Sequence, residues 1–318
     1  MNKFTVITAD RFIWNQAELV DFLVKNQGGE IRIDTRTEGI SCSAIGLYDL
    51  LDKFNFKHVE IHSGNCIEQH SKYSVKVQSL LQWAHVRKPV DSKYHVWTRD
   101  KIFLAYYGRP IWHRLGIVGH LVSQYPAVSS VNLRGNYSDE DSRKLFELTE
   151  LFTNAPEQIK PFSSIAGSLP LLLEKQDGYT PGQRDTSGFT DQLLDFYTDI
   201  LIDVVSESYT SGDTFCPTEK TFRPMLMKKP FIIMGPKNHL IYLRQLGFKT
   251  FYEFWDEDYD GYGPKIRFQC IIELLDKLAI KSKDELNNMY HKMQSILDHN
   301  YNLLINHEYS RKITLVED

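Results

Sequence analysis

Three consecutive residues, Thr218, Glu219 and Lys220, place a hydroxyl, a carboxylate and an ammonium where the pattern predicts the first turn of a helix. Thr218 suits the N-cap, because its hydroxyl can accept from an orphan backbone amide of that turn. A helix start is a ready anion site, and Lys220 adds a full positive charge suited to a diphosphate. Lysine in a first turn otherwise opposes the helix dipole, so its presence asks for an anion nearby. Glu219 has the chemistry to accept both hydroxyls of a ribose. Glu207 and Tyr209 lie upstream, beyond the apolar run Phe196–Val205. Read as a strand, that run delivers Glu207 to the carboxyl edge of a sheet, the crevice where open α/β folds take ligands.

Those residues need a scaffold. Glu30–Asp34 alternates as a short strand, Ala44–Phe54 carries leucines at helical spacing, and His58–His62 alternates again. Strand, helix, strand argues for a parallel sheet. Tyr94–Trp97 reads as a further strand and Trp112–Gln124 as a helix. Polar and proline-rich sequence between about 136 and 195 loosens the pattern, so the expected division is an N-terminal unit of 1–150 and a C-terminal unit of 151–318. In the second unit, Pro230–Gly235 reads as a buried strand, Asn238–Leu246 as a helix capped by Gly247, and Ile266–Asn306 as a helical tail. The fold class expected is α/β, with two Rossmann-like domains.

Composition sets outer bounds. The chain has 318 residues, enough for two cores. Residues 1–150 hold 19 Lys+Arg against 17 Asp+Glu, and the remainder hold 18 against 24, so the formal charge of −4 advertises no global nucleic-acid field. The four cysteines form no CxxC pair, and neither a P-loop nor a dinucleotide fingerprint is present. Asp139-Glu140-Asp141 and Asp256-Glu257-Asp258 match an Asp-x-Asp pattern but sit in contexts that suit caps and turns, so no metal site is expected. The opening residues lack a charged segment followed by an apolar core, and no apolar run reaches about 18 residues. The expectation is a cytoplasmic protein without membrane insertion.

The stretch from Glu207 to Phe251 resembles the donor half of GT-B glycosyltransferases, most closely the α1,3-fucosyltransferases. That family carries a Glu after a strand, Thr-Glu-Lys at a helix start, and an apolar strand ending in Gly. The run through Phe251 is also similar to phage-encoded glycosyltransferase-like proteins of comparable length. The likeness covers about a third of the chain. Upstream, Gly108-Arg109-Pro110-Ile111-Trp112-His113-Arg114-Leu115 resembles the same family's helix start. The resemblance implies a GT-B-like pair of domains around a cleft and an inverting, metal-independent transfer of a sugar from a nucleotide-diphosphate donor, with no further cofactor. Glu219 would hold the ribose and Lys220 the diphosphate, with Thr218 at the helix start and Tyr209 and Glu207 beside the donor. Arg114 would clamp the leaving diphosphate from across the cleft, with Arg109 its close competitor. Glu38, in a loop after the strand 31–34, would be the base, and Asn65 would bind acceptor hydroxyls. The acceptor is open between a hydroxymethylated base in DNA, flipped from its stack, and a surface or protein glycan. A nucleotide-binding module without turnover is the alternative.

Overall fold

A computed structural model describes residues 1–6, 14–36, 39–77, 89–98, 100–108, 110–133, 165, 168–173, 191–210, 212 and 214–306. Its two sheets, both parallel, are of four strands each. The first contains β1 (Asn2–Thr5), β2 (Glu30–Thr35), β3 (His58–Ser63) and β4 (Ser74–Val77) in that spatial order. Helices α1 (Gln16–Lys25) and α2 (Leu47–Leu51) connect its first three strands. Right-handed crossovers that always step in one direction put their helices on one face. Leu19, Leu23, Leu47 and Leu51 accordingly bury against Ile31, Ile33, Val59 and Ile61 in a single core.

The second sheet contains β5 (Phe103–Tyr107), β6 (Ser129–Leu133), β7 (Ile202–Ser206) and β8 (Phe231–Met234). Its order is β6-β5-β7-β8, so the chain steps one way from β5 to β6 and the other way to β7 and β8. That reversal puts helices on both faces. On one side lie α3 (Trp112–Gln124) and α7 (Pro264–Ala279), joined by Trp112 on Phe268 and by His120 and Tyr125 on Asp276. On the other, α4 (Asp191–Asp199) buries Leu193 and Tyr197 with Leu104, and α5 (Glu219–Leu226) lays Arg223 over the Tyr106 ring. The short α6 (His239–Gln245) follows β8, and α8 (Lys283–Ile305) closes the unit with a capping box at Ser282 and Glu285.

Several expected elements differ. The boundary placed near 150 falls outside the described residues, and the sheets themselves divide between Val77 and Phe103, because β5 hydrogen-bonds β7. The helix carrying Arg114 therefore belongs to the same sheet as Glu207. The run Phe196–Val205 is the end of α4 followed by β7, since Leu193 and Tyr197 bury at helical spacing. Tyr94–Trp97 contributes only a 3₁₀ turn, Ser92–Tyr94, held by the Asp91 side chain accepting from Lys93 N–H at 3.0 Å. Gly247 takes φ +99° after α6, the left-handed cap the sequence predicts. No described helix is long and apolar enough to cross a membrane.

Candidate functional site

The order reversal between β5 and β7 makes a topological switch point, the place where open α/β sheets take ligands outside their strand ends. Glu207 leaves β7 at this point, its N–H still bonded to Met234 O at 3.0 Å. Its buried carboxylate accepts from Thr218 N–H at 3.0 Å, Thr218 Oγ1–H at 2.7 Å and Thr221 Oγ1–H at 2.6 Å. It therefore fixes the start of α5 to the end of β7, a bracing role that leaves it little capacity for a ligand.

Thr218 is the N-cap of α5, its hydroxyl accepting from Lys220 N–H at 3.3 Å. The same oxygen accepts from Lys220 Nζ at 3.0 Å, and that ammonium pairs with Glu219 Oε1 at 2.9 Å. The Lys220 side chain is 17% exposed and that of Glu219 28%, so both can meet a ligand at the helix mouth. Burial alone would raise the Glu219 carboxyl, but Lys220, with Arg223 behind it, holds it at about 2. The carboxylate is thus a permanent acceptor, the state that ribose hydroxyls require.

Arg114 reaches the same strand end from α3. Its Nη2 donates to Ser206 O at 3.0 Å and its guanidinium lies 5.8 Å from the Tyr107 ring centre. Next to it, His113 Nδ1 and Ser206 Oγ stand 2.6 Å apart, and burial pushes the imidazole well below its ordinary pKa, so it is neutral. Arg114 comes from the same sheet as Glu207 rather than across a cleft, and it is only 2% exposed. It adds positive charge near the switch point from beneath it.

The loop from Ser208 to Pro217 leaves the switch point, docks on the first unit and returns to α5. Tyr209 packs against the core of the first sheet. The Thr214 hydroxyl donates to Gly39 O, Cys66 N–H donates to Phe215 O at 2.8 Å, and Phe215 N–H donates to Asn65 Oδ1 at 2.8 Å. Asn65 is buried, and its amide also donates to Glu68 Oε2 at 3.0 Å. This placement corrects its expected role, since an amide so engaged ties the two units together and does not face an acceptor. Glu68 completes the knot by accepting from Cys42 N–H at 3.1 Å and Tyr48 Oη–H at 2.8 Å. Glu38 and Arg109 lie outside the described residues.

Three further residues are placed at this edge by the fold. Arg267 of α7 is fully buried and donates to Thr210 O at 3.0 Å, and also to Gly235 O and Tyr262 O. It gathers the loops after β7 and β8 onto α7. His239 stands 3.4 Å from Thr221 Oγ1 and edge-on to Phe215, with burial lowering its pKa to about 4. Arg223 lies one helical turn beyond Glu219 and Lys220, and that spacing is the one signal that could have found it.

Among the described residues no group of His, Cys, Asp and Glu could hold a metal ion. In the Asp-x-Asp run near 256, Asp256 accepts from Asp258 N–H at 2.8 Å and Glu257 from Phe251 N–H at 2.7 Å, both turn bonds. Cavities of about 350 Å³ beside Phe56, His58 and Tyr73 and about 460 Å³ beside Trp255, Cys270 and Ile280 are lined by none of the strand-end residues. No family model and no curated protein matches the chain. The N-terminal domain of Candida albicans trehalose-6-phosphate phosphatase is a similar solved structure, at 8% identity and a TM-score of 0.37 over 93% of this chain and 74% of that one. A likeness that distant carries no argument about activity.

Proposed function

We propose that the chain is an inverting, metal-independent glycosyltransferase that takes its sugar from a nucleoside-diphosphate donor. The observation that supports this reading best is the mouth of α5. There a capped helix start, an accessible ammonium and a permanently ionised carboxylate converge at a topological switch point. The helix N-terminus and Lys220 receive the diphosphate, and Glu219 takes the ribose hydroxyls. Thr218 and Glu207 hold that first turn in place, and Arg114 contributes charge that favours a departing diphosphate. On this reading the two parallel-sheet units are the halves of a GT-B-like fold, and Glu38 is the base that takes the acceptor proton. The acceptor is a hydroxyl, with a hydroxymethylated DNA base or a glycan as the two classes.

Calorimetric titration with a panel of nucleoside diphosphates, followed by slow donor hydrolysis with and without chelator, tests the reading. Absence of binding by every nucleotide would overturn it, and loss of turnover in chelator would remove the metal-independent clause. A second reading, nucleotide binding without turnover, is favoured by the burial of Arg114 against Ser206 O, which leaves Lys220 as the accessible cation of the pair. Nucleotide binding without hydrolysis of any nucleotide sugar would select it.

A further inference from the structure

We infer that the polar face of the first sheet, carrying Lys3, Arg32, Arg36 and Lys76, is a docking surface for the phosphate backbone of a nucleic acid. The face follows from topology. Parallel sheets are ordinarily covered on both sides, but the unbroken order β1-β2-β3-β4 sends α1 and α2 to one side only. Strand alternation then gives the opposite side a polar layer in two rungs. Lys3, Arg32 and Glu60 are in register in one, and Asp34, His62 and Lys76 in the other.

The charges on this layer do not balance. Two of its carboxylates, Asp34 and Glu60, are buried beneath the cations, and a third, Glu30, is exposed at the start of β2 on the same face. Asp34 receives Lys3 at 3.0 Å and Arg36 at 2.8 Å. Glu60 receives Arg32 at 2.9 Å, Lys76 at 2.6 Å and His62 at 2.6 Å. A buried carboxylate needs a cation to offset its desolvation, and each of these has more than one. Burial would raise Glu60, yet Lys76 and His62 hold it at about 2, so both anions are permanent and the excess is set by the cations. Four full positive charges stand against three negative ones, of which only the two buried carboxylates lie beneath the cations, on a chain whose net charge is −4.

The cations remain open to solvent. Side-chain exposure is 49% for Lys3, 38% for Arg32, 27% for Arg36 and 39% for Lys76. The carboxylates hold their stems in fixed positions, so little side-chain freedom is lost on binding. With strands about 4.8 Å apart, the track from β1 to β4 runs about 14 Å. A duplex whose axis lies along the track presents about four phosphates per strand over that length. A row of fixed, half-exposed cations at phosphate density fits a polyanion backbone better than it fits a neutral glycan. The surface deepens the transferase reading by naming nucleic acid as the acceptor class, and it rests on that reading only for its purpose.

The test is fluorescence anisotropy of the full chain with a short labelled DNA duplex across a salt series, without any donor. The wild type should bind with log K falling against log salt at a slope of about −3, from three to four phosphate contacts. Lys3→Gln with Lys76→Gln should weaken binding about tenfold or more and flatten the slope by about two. That pair leaves Asp34 with Arg36, and Glu60 with Arg32 and His62, so the fold is retained. Arg32→Gln with Arg36→Gln is the second pair, and unchanged circular dichroism qualifies either. Salt-insensitive binding, unchanged binding by both pairs, or equal binding of heparin with the same losses would overturn the inference. Because no donor is present, failure here leaves nucleotide binding untouched, and failure of nucleotide binding leaves this surface untouched.

Discussion

The Glu207 carboxylate grips Thr218 twice, at its backbone N–H and at its hydroxyl, 3.0 and 2.7 Å away. One residue thereby closes β7 onto the start of α5 and sets the helix mouth at the sheet edge. The cap hydroxyl donates to Glu207 and accepts from both the backbone and the ammonium of Lys220. The Lys220 ammonium is thus positioned from a buried strand end.

Removing that brace should unfold the mouth. Glu207→Ala leaves the Thr218 and Thr221 donors buried without their acceptor, for a loss of about 3 kcal/mol. Glu207→Gln keeps the shape, lacks the charge and should lose about half as much. Urea unfolding midpoints give both values, and a wild-type midpoint for Glu207→Ala would refute the bracing role.

Lys220 should weigh less on the fold and more on the ligand. Its ammonium is the chief partner of a largely buried Glu219 carboxylate, so Lys220→Ala should cost about 1 to 2 kcal/mol of stability, less than Glu207→Ala. Nucleoside diphosphate affinity should fall about tenfold or more, the value of a charge-assisted hydrogen bond or two. Calorimetry on Lys220→Ala beside Lys220→Arg separates charge from geometry, and equal affinity for wild type and Lys220→Ala would exclude the ammonium from the site.

The sequence made Thr218 as a cap, α3, β8 and the Gly247 stop legible, because each is written in a local pattern of spacing or backbone preference. Partnership was less legible. Arg114 is a charged residue at a helix start, and nothing near it in sequence says that Ser206, 92 residues away, would take its guanidinium. Asn65 followed a strand and a glycine, as a ligand residue would, yet its oxygen goes to Phe215, 150 residues on. Which strand β5 pairs with decides the unit to which Arg114 belongs, and strand order is a long-range property that periodicity does not encode.

Lys229 makes stability depend on pH. It is buried, donates to Val96 O at 2.6 Å and Ile200 O at 3.0 Å, and burial lowers its pKa to about 7 against a weaker pull from Asp199. Between about 7 and the ordinary lysine value near 10.5, the unfolded chain binds this proton and the folded chain does not. Stability therefore rises with pH across that window. The full span is on the order of 3 to 5 kcal/mol. Lys229→Met should flatten this limb in unfolding curves measured across it, and an unchanged slope would count against a neutral lysine.

Gly39 and Cys216 join the two units at a contact without spare room. Gly39 sits at φ +61°, and a methyl there would overlap the Cys216 side chain while Gly64 closes the other side. Gly39→Ala therefore pays twice, about 1 kcal/mol for the left-handed backbone and more for displacing the loop. The expected total is about 3 kcal/mol, with faster proteolysis between Ser208 and Pro217. Cys216→Gly removes the overlap without touching the backbone strain, so Gly39→Ala with Cys216→Gly should recover about half of the combined loss. A double-mutant cycle with no coupling between the two positions would show that the loop is seated by Asn65 and Thr214 alone.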